Sequence, residues 1–139
     1  MINSKGNTMK YLMSLLIIFM MISCAPSTFT PTEKVTFTTT RSLEAASEIR
    51  ITALKTIAGL YKEGVLTDEA FKAKVIEIGD ELQVAINVTA NALLVYKDSG
   101  LSADKLTLGE KIENYTIVYG KFSDLVMPYI LEKLDGGDK

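Results

Sequence analysis

The sequence predicts an all-α fold: an antiparallel three-helix bundle over residues 41–135. Two observations carry this. Apolar residues recur at spacings of three and four in three long segments, which places each set on one face of a helix. The segments are separated by two short breaks, each containing a glycine. Long helices joined by short loops pack as antiparallel neighbours.

The first helix is expected from about Ser42 to Lys62. Ala46, Ile49, Ala53, Ile57 and Leu60 form its stripe, widened by Leu54 and Tyr61. Gly64 supplies a stop, because it adopts the left-handed conformation that ends helices. The second helix is expected from Thr67, read as its N-cap, with Asp68 and Glu69 at the positive end of the helix dipole. Phe71, Val75, Ile78, Leu82, Ala85, Thr89, Ala92 and Tyr96 continue it in a strict 4-3 alternation. Such a seam packs against neighbouring helices at a shallow angle. Lys97 and Gly100 mark the end.

A third helix is signalled by Thr107-Leu-Gly-Glu110, which has capping-box spacing, with Ser102 as the start of an earlier turn. Leu108, Ile112, Tyr115, Tyr119, Phe122, Val126 and Tyr129 form its stripe. Pro128 removes one donor and crowds the carbonyl of Asp124, so a kink is expected there. Residues 136–139 read as a flexible tail. Gly59, Gly79, Gly109 and Gly120 lie inside the helical patterns; close helix approach and neutral drift both account for them.

Composition narrows the function. The chain has 139 residues, enough for one domain, and a net charge of −2. Removing the segment that holds Lys5 and Lys10 leaves 13 basic against 17 acidic residues, a net charge of −4. An acidic chain without a basic block has no electrostatic footprint for nucleic acid. It also lacks broad attraction to anionic headgroups. There is no histidine, so the usual general base near neutral pH and most zinc or iron sites are missing. That removes Ser-His-Asp triads and leaves only Ser–Lys variants formally open. No phosphate-binding glycine loop and no paired-cysteine metal motif occur, and no cofactor is expected. One cysteine permits no intramolecular disulfide.

The N-terminus carries its own signal. Lys5 and Lys10 precede an uncharged run, Tyr11 to Ile22. As a helix this run is roughly 18 Å long, short of a hydrocarbon core of about 30 Å. It suits a signal-peptide apolar region better than a permanent span. Met9 is an alternative start.

The run ends Met21-Ile22-Ser23-Cys24. This resembles the lipobox of bacterial lipoproteins, in which a Leu, a small or β-branched residue and Gly, Ala or Ser precede the cysteine. Ile22, Ser23 and Cys24 fit, and Met21 departs from the preferred Leu. The resemblance covers about sixteen residues and leaves the helical domain unassigned. It implies that residues 1–23 are a cleaved signal, that the Cys24 thiol takes a diacylglycerol, and that the new amine takes a further acyl chain such as palmitate. Two or three chains give stable attachment, at about 0.8 kcal/mol per buried CH₂. Ala25, where Asp retains a lipoprotein in the inner membrane, implies the periplasmic side of the outer membrane if the source has two membranes.

Residues 25–40 include seven Thr and two Pro. With Cys24 they read as an extended tether, up to about 50 Å long.

Two patterns compete for a site. Glu77, Asp80 and Glu81 cluster on helix two, with Glu77 and Glu81 on one face. Carboxylates so placed suit acid–base work or a divalent cation, but no matching cluster is recognisable on another helix, and a solvated face is the plainer reading. Tyr115, Tyr119, Phe122 and Tyr129 form an aromatic stripe. It suits an apolar groove or a partner face, and it equally suits ordinary core. The leading expectation is a non-enzymatic, membrane-tethered interaction or structural module in the cell envelope, with another envelope protein as partner. The alternative is a carrier for a small apolar ligand or lipid in a groove between helices.

Overall fold

The computed structural model describes residues 28–135. The signal segment, Cys24 and the tail at 136–139 lie outside the described residues. Three helices follow one another: α1, Pro31–Lys62; α2, Glu69–Ser99; and α3, Ser102–Asp135. There is no strand among the described residues, and the fold is an all-α bundle. No described helix is long and apolar enough to cross a membrane.

The chain divides into two compact units, one ending at Ser42 and one running from Leu43. Helix α1 is continuous across the division.

The expected tether is the main correction. Helix α1 begins at Pro31, so residues 31–40 are helical. The cause is a capping box. The Glu33 carboxylate accepts from the Thr30 amide at 2.7 Å, and the Thr30 hydroxyl accepts from the Glu33 amide at 3.3 Å. Pro31 occupies the first helical position, where its missing N–H costs nothing and its fixed φ is already helical. The Thr30 amide holds the Glu33 carboxyl below its ordinary pKa. Within this unit Phe29 and Phe37 meet edge to face at 5.7 Å, and the Arg41 guanidinium lies 5.7 Å from the Phe37 ring centre.

The second unit opens with the rest of α1, which ends in a glycine cap. Gly64 has φ 73°. Its amide donates to the Tyr61 carbonyl at 3.1 Å, and the Val65 amide donates to the Leu60 carbonyl at 2.9 Å, the paired bonds of a Schellman motif. Helix α2 is capped by Asp68, one residue beyond the expected Thr67. The Asp68 carboxylate accepts from the amides of Ala70 at 2.9 Å and Phe71 at 3.2 Å. The Tyr61 hydroxyl donates to the Asp68 carbonyl and ties the end of α1 to the start of α2. Gly100, at φ 63°, closes α2 through its amide to the Tyr96 carbonyl at 2.8 Å.

Helix α3 starts at Ser102, a turn and a half before the Thr107 cap expected from spacing. The Thr107 hydroxyl instead donates to the Ala103 carbonyl at 3.2 Å, as a residue within a helix does. The Ser99 hydroxyl meets Asp104 across the α2–α3 turn and sets the earlier start. The helix continues through Pro128.

The core follows the stripes. Ala46, Ala53, Ile57, Val75, Leu82, Ala85, Tyr115, Phe122 and Val126 are buried together, with Leu43, Ile86 and Val118. Side chains of the other two helices meet over Gly79, where a Cβ would lie 3.4 Å from Phe122 Cε2 and 3.5 Å from Leu54 Cδ2. A larger residue on α2 would hold the other two helices apart. Arg50 closes the same junction, its Nε donating to the Gly79 carbonyl at 2.6 Å and its Nη2 to Asp80 at 3.2 Å. Thr89 sets the register of α2 against α3. Its buried hydroxyl bonds the Ala85 carbonyl at 2.8 Å and lies 3.2 Å from the Lys111 carbonyl.

Candidate functional site

The helical repeat that buries the stripe of α2 also sets up a second face. Glu77, Asp80, Glu81, Val84 and Val88 lie on it, as spacings of 3, 1, 3 and 4 require. Opposite them α3 presents Glu110, Lys111, Asn114 and Val118. Between the two runs a groove of about 630 Å³. Its floor is Ala85 and Val118, both buried. A small side chain at 85 leaves the space open. Its walls are Val84, 62% exposed, and Val88, 41% exposed. Val95, also exposed, continues the valine stripe seven residues on.

The groove is apolar along its middle and acidic at its margins. Four of the ten lining residues are carboxylates and one, Lys111, is a cation. The exposed Asp80 is engaged by the half-buried Arg50, which leaves Glu77, Glu81 and Glu110 to dominate the field. The described residues contain no group of three or more side chains able to hold a metal ion.

The aromatic stripe lies elsewhere. Tyr115 and Phe122 are buried, Tyr119 and Tyr129 are half-buried, and all four pack in or against the core. The Tyr129 ring lies 4.7 Å from that of Phe71, and those of Tyr115 and Tyr119 are 6.1 Å apart. Burial pushes the Tyr119 phenol above its ordinary pKa. None of the four lines the groove, because the 4-3 spacing that groups them also turns them inward. Glu77 and Glu81 do share an exposed face. The sequence reading overlooked Val84, Val88 and Glu110. The signal was there: valines four apart on α2, off the buried seam.

No family model, curated protein or solved structure matches the chain.

Proposed function

We propose that the protein is a membrane-anchored lipoprotein whose helical bundle acts as a non-enzymatic interaction module in the cell envelope. The supporting observation is the groove between α2 and α3. It exposes Val84 and Val88, four residues apart on one helix face, rimmed by carboxylates. An apolar strip with a polar rim on a small domain is the pattern of a protein-binding surface. The alternative, a carrier for a small apolar ligand or lipid, would use this same groove and not the tyrosine stripe, which packs in or against the core. Attachment rests on Met21-Ile22-Ser23-Cys24 and on the marginal hold of a single acyl chain against the stable hold of two or three.

Two measurements test the proposal. For the anchor, wild type is expected to take up labelled palmitate and to enter the detergent phase, and Cys24→Ser to do neither. Membrane retention of the variant, with no label on the wild type, would refute attachment. For the module, in-cell crosslinking of the full chain is expected to give a reproducible adduct with one envelope protein. Absence of any adduct refutes the interaction.

A further inference from the structure

We infer that the α2–α3 groove receives a Lys- or Arg-rich amphipathic helix of a partner protein. This rests on the interaction-module reading and names the chemistry of its partner. The groove lies between two antiparallel helices, and a third helix is the natural filler of such a furrow, at 8–10 Å from each axis. From Glu77 to Val88 the lined length is about 16 Å, three turns. The apolar edge of a helix centred on this stretch would therefore cover Val84 and Val88.

Charge selects the occupant. Glu77, Glu81 and Glu110 flank the valines, and Lys111 is the one opposing charge among the lining residues. A helix with basic residues on either side of its apolar edge meets these carboxylates. A second copy of this chain, docked by the same face, sets acidic margins against acidic margins, which costs affinity. Anionic headgroups are repelled for the same reason.

The test uses the full lipidated chain in uncharged detergent and a dye-labelled peptide of about eighteen residues, with a leucine edge flanked by lysines; a second peptide carries glutamates instead. Anisotropy is expected to show the lysine peptide binding at least about tenfold tighter than the glutamate peptide, with affinity falling as salt rises. The combined Glu77→Lys, Glu81→Lys and Glu110→Lys variant should reverse the preference. Val84→Glu with Val88→Glu should weaken the lysine peptide by about tenfold or more. Each changed residue is exposed, and unchanged helical circular dichroism confirms folding. Equal binding of the two peptides, no reversal by the lysine variant, or self-association through this face would overturn the inference. A photo-reactive residue replacing Val84, with Lys55 as the exposed control site, separates the two proposals. An envelope adduct from position 55 alone refutes the groove and keeps the module, whereas no adduct from either site refutes both.

Discussion

Replacing Gly79 by leucine places a branched side chain where a Cβ already touches Phe122 at 3.4 Å and Leu54 at 3.5 Å. The remaining leucine atoms must then fit between these two buried or half-buried side chains. Overpacking of this kind costs about 1–3 kcal/mol, against which leaving glycine in a helix interior returns up to about 1 kcal/mol. Phe122→Ala acts oppositely. The ring is fully buried, and its removal costs about 3–5 kcal/mol in lost transfer energy and cavity. Combined, the two changes compensate: the leucine enters the volume the ring vacates. The double variant is expected to be more stable than the sum of the single losses predicts, by about 1–3 kcal/mol of coupling. Equilibrium urea unfolding followed by far-ultraviolet circular dichroism measures all four corners of the cycle. Additive losses, or a double variant worse than the sum, would mean that α2 and α3 do not meet at this point, and the three-way junction would be wrong. Gly79→Ala alone adds only ordinary contacts and should stabilise by up to about 1 kcal/mol.

Further outcomes follow from local features. Asp68→Ala removes the acceptor for two amides at the start of α2 and should cost about 1 kcal/mol in the same unfolding assay. Gly100→Ala forces a Cβ into the left-handed region and should cost about 1–2 kcal/mol, despite the open space around it. Arg50→Met removes the donor to the Gly79 carbonyl and should cost about 1–3 kcal/mol, whereas Asp80→Asn should cost less than about 1 kcal/mol because that carboxylate is exposed. Tyr119 has a raised folded-state pKa, so folding favours its neutral form. That contribution is complete below the unfolded pKa and is lost as pH rises through the folded one. Denaturation midpoints should therefore fall above about pH 10, and Tyr119→Phe should flatten that fall.

The bundle was legible because burial repeats with the helix. Val75, Leu82, Ala85, Thr89 and Tyr96 all lie buried on α2 where the 4-3 alternation put them. Helix starts were harder to read. Thr107 and Glu110 have the spacing of a capping box yet sit within α3, while Thr30 and Glu33 have the same spacing and do cap α1. What separates them is Pro31, a residue that suits both an extended chain and the first turn of a helix. The groove was illegible for a different reason. Its acidic half on α2 was visible, but Glu110 joins it only once the α2–α3 turn and the Thr89 contact have fixed which residues face each other.

The position of the α1 start changes what a lipid on Cys24 would do. A tether running to residue 40 would let the domain sweep a wide shell. With helix from Pro31, seven residue steps separate the anchor from rigid structure, a span of at most about 25 Å. The base of α1 would then be leashed close to the bilayer, exchanging a search in three dimensions for one nearly confined to two. Partners held on the same surface would meet it at a high effective concentration. A groove of modest intrinsic affinity suffices under that confinement.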